Sequence, residues 1–173
     1  MLFLIVLLSS KPIKQTEEFN WFTIAKVIKF VFFLYSMTKK LKILAASDIQ
    51  GNPRVSKKLA EKAEKEKVDL VVLCGDILGY GDSKNLIKPF KDKNQKVLIL
   101  PGNWDSFATT DFLAQLYGVT NIHGYSAIYE NVGFFGAGAA PTAIGPRSAI
   151  TEEELMKTLE KAHKGLKGIE KKV

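Results

Sequence analysis

The chain is poor in the residues that form disulfides and soft-metal sites. Its 173 residues include one cysteine, Cys74, and two histidines, His123 and His163. A single cysteine excludes a disulfide within the chain and a zinc site built on cysteines. Because Cys74 ends a strand-like apolar run, we expect it to be a small buried hydrophobic residue.

Long apolar runs are scarce as well. Residues 1–8 and 21–37 are apolar, but neither run reaches the roughly 20 uninterrupted residues that a membrane-spanning helix needs. The first run lacks the basic region that opens a secretory signal. The second run contains Lys26 and Lys29, which would share one face of a helix. The pattern therefore favours neither a membrane span nor a secretory signal.

Residues 1–36 have two interpretations. One is a weak membrane anchor that lies in the lipid interface through its aromatic side chains. The other is translated sequence upstream of the true start, because residues 37–42 are typical of a fresh N-terminus that leads straight into a strand. We favour the second interpretation. The predicted division is an apolar extension, 1–36, and a domain, 37–173, in a cytoplasmic protein that is membrane-associated only if the extension is native.

The charge of the chain indicates the kind of partner it meets. The formal net charge is +7 and comes mostly from lysine. A basic surface suits anionic partners such as a phosphate-ester substrate. No run of basic and aromatic residues in the globular part indicates nucleic-acid readout. The sequence leaves the oligomeric state open.

From residue 41 onwards the pattern alternates between strand and helix. Short apolar runs predict buried parallel strands over 41–46, 68–74 and 96–100. Helices are predicted over 53–67, 83–91 and 109–117 and from a capping box at Thr151 to about residue 167, with a hairpin over 126–130 and 132–136. This order predicts an α/β fold with a mainly parallel sheet. A dinucleotide-binding domain is disfavoured, since no Gly-x-Gly-x-x-Gly follows the first strand.

A polar loop follows each of the three predicted strands. Asp48 lies in the loop 47–52, Asp76 in the loop 75–76, and Asn103 in the loop 102–105. Parallel strands place their carboxyl ends along one edge of a sheet, where ligands bind, so we expect these side chains to converge. Carboxylate and amide oxygens suit manganese, magnesium or iron better than a structural zinc.

The three loops together resemble the motifs of the calcineurin-like metallophosphoesterases. That family carries Asp-x-His-Gly-Asn, then Gly-Asp, then Gly-Asn-His followed by Asp or Glu. The corresponding runs here are Asp-Ile-Gln-Gly-Asn at 48–52, Gly-Asp at 75–76 and Gly-Asn-Trp-Asp at 102–105. The resemblance implies a metallophosphoesterase-like sheet flanked by helices. It also implies metal-dependent hydrolysis of phosphate esters, as a phosphatase or phosphodiesterase, with two divalent ions such as Mn²⁺ (or Mg²⁺, Fe, Ni or Zn) in an intact site.

The resemblance also implies individual roles. By analogy with the family, Asp48 would bind the first metal, Asp76 would bridge both metals, and Asn103 would bind the second through its amide oxygen. Asn52 and Asp105 would lie on the substrate side. No catalytic acid or base is assigned.

The sequence departs from the family pattern at three points. Gln50 stands in place of a metal-ligand histidine, and its amide oxygen would bind a transition metal more weakly. Trp104 stands in place of a histidine that assists the leaving group, and tryptophan transfers no proton. The later histidine motifs are missing: His123 is expected to be structural and His163 exposed.

These departures leave two hypotheses about function. The chain is predicted to be the front portion of a metallophosphoesterase domain that lacks its C-terminal half, with weak metal binding and little or no turnover by itself. A sheet lacking that half would expose apolar surface, which predicts marginal stability or a partner. The alternative is a non-catalytic pseudo-enzyme module that binds a phosphate group or a protein through the same edge of the sheet.

Overall fold

The structure, a computed structural model, describes Lys26, Ile28, Lys29 and residues 40–79, 84–140 and 149–173. The chain divides into two compact units, Met1–Lys39 and Lys40–Val173. The prediction for residues 1–36 falls almost wholly outside the described residues. In the described part of the chain, no helix combines the length and the apolar character needed to cross a membrane.

The second unit alternates strands and helices, as the sequence predicts. The strands are β1 (Ile43–Ala46), β2 (Leu70–Cys74), β3 (Val97–Leu100), β4 (Thr120–Asn121), β5 (Ser126–Tyr129), β6 (Val132–Phe135) and β7 (Lys171–Lys172). The helices are α1 (Pro53–Lys65), α2 (Lys88–Lys91), α3 (Phe107–Tyr117) and α4 (Glu152–Lys164).

Four strands form a parallel sheet in the order β1-β2-β3-β4. The α/β prediction is thus confirmed. Successive residues of a strand face opposite sides of a sheet, and both sides of this sheet are covered. Val71 and Ile99 pack in a cluster with residues of the helices, while Leu70 and Leu98 pack in a second cluster with Phe134 of β6.

The second cluster joins the parallel sheet to a smaller sheet. Strands β5 and β6 form the predicted antiparallel hairpin, and β7 pairs in parallel with β6. Helix α4 packs on this smaller sheet, where Leu166, just beyond the helix, lies against Gly133 of β6. A helix layer, a parallel sheet and a small mixed sheet therefore stack in that order.

Three details differ from the sequence prediction. Strands β4 and β7 were not predicted, because two polar residues each carry no periodic signal. Within the described residues the second helix covers only Lys88–Lys91. The prediction that Cys74 is buried is wrong: Cys74 is exposed, because it is the last residue of β2 and the pairing with β1 ends one residue earlier, at Leu73.

Strand β1 lies at the edge of the described sheet. Its sequence is wholly apolar, yet Ile43 is 37% exposed, whereas Ile99 in β3 is fully buried. A parallel strand with that composition is normally covered on both faces. The edge position of β1 accounts for this exposure, and an uncovered apolar face stays a prediction.

Candidate metal centre

The loop after β1 is hydrogen-bonded to the loop after β2. The N–H of Asp48 donates to the carbonyl of Gly75 (3.2 Å), and the N–H of Gln50 donates to the carbonyl of Asp76 (2.8 Å). The N–H of Gly51 donates to the carbonyl of Ile77 (2.8 Å). The parallel pairing of the two strands thus continues beyond the sheet, and it fixes the backbone that carries Asp48 and Asp76.

The loop after β3 closes on the same point. The N–H of Trp104 donates to Oδ1 of Asp76 at 3.0 Å. Gly102 lies so close to this carboxylate that a Cβ atom there would be 2.0 Å from the same oxygen. Gly75, which precedes Asp76, adopts a left-handed φ of +88° and also approaches the backbone of Gly102. The structure therefore brings together all three loops that the sequence singled out.

Three of the predicted ligands stand on left-handed backbone. The φ angles are 56° at Asp48, 50° at Gln50 and 49° at Asp76. Such angles cost L-residues of the order of 1 kcal/mol each, although aspartate tolerates them better than most. Strain of this kind collects at functional sites and persists where neighbouring contacts enforce it. Here the hydrogen bonds between the loops enforce it.

Asp105 is an internal brace, by which we mean a buried carboxylate whose hydrogen bonds connect the loops at this edge of the sheet. It is fully buried, and its carboxylate accepts the N–H groups of Ile77 (3.1 Å), Leu78 (2.9 Å) and Gly102 (3.0 Å). It therefore ties the loop after β2 to the loop after β3. This place differs from the substrate side that the resemblance implied: the carboxylate is committed to backbone donors beneath the surface.

Asn52 is likewise engaged by the backbone. It is the N-cap of α1, and its Oδ1 accepts the N–H groups of Arg54 (3.0 Å) and Val55 (3.4 Å). A side chain in this position satisfies donors that the first helical turn leaves unpaired. Contact of Asn52 with a substrate stays a prediction.

The remaining candidates offer oxygen donors near the surface. Asp48 and Gln50 are exposed, and Asp76 and Asn103 are half-buried. The hydroxyl of Ser47 donates to Oδ2 of Asp48 at 2.5 Å. Two carboxylates and two amides are a hard, oxygen-only donor set, which fits Mn²⁺ or Mg²⁺. Among the described residues, no group of three His, Cys, Asp or Glu side chains gathers to hold a metal ion.

The two histidines have other surroundings. Nδ1 of His123 accepts the N–H of Gly138 at 2.9 Å, and its ring lies 4.6 Å from that of Phe107. Burial lowers the pKa of His123 from its ordinary 6.5. His163 is exposed on α4, with its ring against Phe135. The bond between His123 and Gly138, fifteen residues away, has no sequence signal.

An α/β sheet with carboxylate-bearing loops along its carboxyl edge defines a class of proteins that bind ligands or ions at that edge. Within this class, the family model of the calcineurin-like phosphoesterases matches residues 41–159. The chain belongs to this family.

Individual relatives agree with that assignment. An uncharacterized protein of Methanocaldococcus jannaschii is 31% identical over 138 residues, which cover 77% of this chain and 60% of the relative. The crystal structure of TT1561 of Thermus thermophilus superposes with a TM-score of 0.59 at 14% identity, covering 70% of this chain and 61% of that one. A second solved structure gives a TM-score of 0.55 at 13% identity, covering 69% and 63%. At these identities the structural matches show the fold alone. The matched part of this chain spans about 60% of the length of the M. jannaschii relative.

Proposed function

We propose that the carboxyl edge of the parallel sheet is the front half of a divalent-metal site that hydrolyses phosphate esters. The observation that carries the proposal is the junction of the three loops. Asp76 is held from one side by the loop of Gln50 and from the other by the N–H of Trp104. Membership of the calcineurin-like phosphoesterase family supports the same chemistry.

In this proposal Asp48, Asp76 and Asn103 hold the metal, and Gln50 contributes a weaker amide oxygen. When bound, divalent cations would activate a water and neutralise charge on the phosphoryl group. The contribution of the chain is placement. Asp105 and the hydrogen bonds between the loops keep the donor oxygens in position before any ion arrives, so that little has to rearrange on binding.

Two features set limits on the expected rate. Gln50 binds a transition metal less strongly than an imidazole would. The indole N–H of Trp104 is too weak an acid to protonate a leaving group, so the reaction would depend on esters whose leaving group departs as a stable anion. We therefore propose slow, metal-dependent hydrolysis, with activated aryl esters as the most accessible substrates.

The second candidate function is a non-catalytic module that binds a phosphate group at the same edge. It is favoured by Gln50 and Trp104, which stand where the family pattern has a metal-binding histidine and a histidine that assists the leaving group. Binding without turnover would follow if one cation, held by Asp48 and Asp76, captured a phosphate but activated no water.

Turnover of an aryl phosphodiester and an aryl phosphomonoester, with and without Mn²⁺, separates the two functions. The hydrolase proposal predicts slow Mn²⁺-dependent release of the aryl alcohol. It also predicts that Asp76→Asn lowers the rate of hydrolysis roughly 100-fold or more, because removing a metal ligand costs more activity than removing a residue that hydrogen-bonds to a ligand. Glu61→Gln, which removes an exposed carboxylate from α1, is the matched control and keeps the wild-type rate.

The outcomes of this experiment differ clearly. Turnover that Asp76→Asn leaves unchanged would come from elsewhere, and it would overturn the assignment of the site. Mn²⁺ and phosphate binding with no turnover, both lost in Asp76→Asn, would replace the hydrolase by the binding module.

A further inference from the structure

We propose that His123 is a positioning residue: its imidazole holds the return segment, residues 136–140, against the start of the loop that carries Asn103. His123 follows β4, at the same edge of the sheet as the metal-binding loops. Neither the family resemblance nor the proposed reaction assigns it a task. We call this contact between His123 and the return segment the clamp. The clamp does not depend on metal chemistry, and only its effect on a bound metal rests on the proposed function.

His123 contacts the return segment through both its backbone and its imidazole. His123 forms a parallel bridge with Gly136, and the N–H of Gly124 donates to the carbonyl of Gly136 at 2.9 Å. Beyond this bridge the N–H of Gly138 donates to Nδ1 of His123 at 2.9 Å. An imidazole that accepts at Nδ1 is neutral and carries its proton on Nε2. The geometry therefore selects one protonation state and one tautomer.

The return segment in turn contacts the loop that carries Asn103. A Cβ atom at Gly138 would lie 2.1 Å from the carbonyl oxygen of Pro101, so the two backbones touch. The N–H of the next residue, Ala139, donates to the same carbonyl at 3.0 Å. Pro101 is buried and leads directly into Gly102, which packs on the carboxylate of Asp76. The contacts thus run from His123 through Gly138 and Pro101 to a proposed metal ligand.

Polar and charged groups surround the imidazole of His123. Asn121 fixes the backbone of His123 by accepting its N–H (3.0 Å), and Asn121 itself donates to Asp111 of α3 (2.7 Å). A recess of about 250 Å³ adjoins the ring, and Asp111, Lys161 of α4 and Tyr125 line it. Burial lowers the pKa of His123, Asp111 raises it and Lys161 lowers it, with burial the largest effect. The neutral form that the clamp needs is therefore favoured near neutral pH.

Protonation would release the clamp. An imidazolium has no acceptor and would present an N–H to the N–H of Gly138. Since the pKa of His123 is lower when folded than its ordinary 6.5, this contribution to stability is complete above that value and is lost as the pH falls towards the folded pKa.

Nuclear magnetic resonance of the full chain tests the clamp without any metal. We expect long-range ¹H–¹⁵N spectra at neutral pH to show His123 protonated at Nε2 only. As the pH falls from about 8 to about 5, the range in which imidazoles titrate, the amide of Gly138 should shift with the same midpoint as His123.

Two variants separate the acceptor from the shape of the ring. His123→Phe keeps an aromatic ring against Phe107 but removes the acceptor, and we expect exchange of the Gly138 amide to become about 10-fold faster. His123→Asn keeps an acceptor at the δ position, so protection of Gly138 should return and no longer depend on pH.

A proton on Nδ1 at neutral pH, or a Gly138 amide that ignores the titration of His123, would overturn the inference. So would unchanged Gly138 exchange in His123→Phe. Because none of these readouts involves Mn²⁺ or turnover, the clamp and the proposed function can fail independently.

Discussion

At the scale of single residues, the carboxylates of Asp76 and Asp105 have opposite tasks. Asp76 is half-buried, and in the proposed site its carboxylate would hold a cation. Asp105 is fully buried and binds three backbone N–H groups. The sequence places both at the ends of strands and cannot tell them apart, because burial depends on how the loops fold over each other. The meeting of the three loops could be predicted, and the roles of Asp48, Asp76 and Asn103 stay predictions; the brace beneath the loops could not be predicted.

Replacing the brace should be costly. We expect Asp105→Asn to lower the free energy of unfolding by about 3 kcal/mol, because the amide brings N–H donors against backbone donors and leaves some of them unpaired. Urea denaturation measures the difference. Asp92→Asn is the control: among the described residues the carboxylate of Asp92 forms an exposed pair with Lys88, and the loss of such a pair should cost no more than about 0.5 kcal/mol. Equal stability of the two variants would contradict the role assigned to Asp105.

At the scale of secondary structure, the elements with strong local signals were predictable. The apolar runs of β1, β2 and β3 and the hairpin of β5 and β6 form where the pattern places them. The capping box at Thr151 is present, with the Thr151 hydroxyl accepting the N–H of Glu154 and the Glu154 carboxylate accepting the N–H of Thr151. The pairing of β4 and β7 comes from tertiary contacts instead, since two-residue strands have no period of their own.

The capping box gives a test at this scale. We expect Thr151→Ala to destabilise the chain by about 1 kcal/mol, the usual cost of losing an N-cap side chain. Hydrogen bonds from Thr151, first from its backbone, lower the pKa of Glu154 below its ordinary 4.5. The variant should therefore move this pKa part of the way back, as a carboxylate titration by nuclear magnetic resonance would show.

The sign of the pH dependence follows from that shift. The contribution of Glu154 is complete above its ordinary pKa of 4.5 and is lost as the pH falls through the lower folded pKa. Thr158→Ala, in the interior of the same helix, is the matched control and should cost little, because alanine is a good helix former. If Thr158→Ala were as damaging as Thr151→Ala, the cap would not be the cause.

At the scale of the whole molecule, some layers of the fold could be predicted from the sequence and others could not. The strand–helix alternation predicts the parallel sheet and its helices, but the small mixed sheet on the other face depends on contacts such as Leu70 and Leu98 with Phe134. The apolar edge strand β1, with Ile43 37% exposed, is a feature of the assembled sheet. The prediction of marginal stability or a partner therefore belongs to this scale and stays a prediction.

The most direct test of the central claim is the location of a bound Mn²⁺ ion. Paramagnetic broadening in ¹H–¹⁵N spectra of the full chain, followed during titration with Mn²⁺, reports which amides lie near the ion. We expect amides of the three loops, residues 47–52, 75–77 and 102–105, to broaden first and together. Asp76→Asn should abolish this broadening, and Glu61→Gln should leave it unchanged. Broadening that begins at the acidic first turn of α4, Glu152, Glu153 and Glu154, and is unchanged in Asp76→Asn would contradict the claim that the three loops form a metal site.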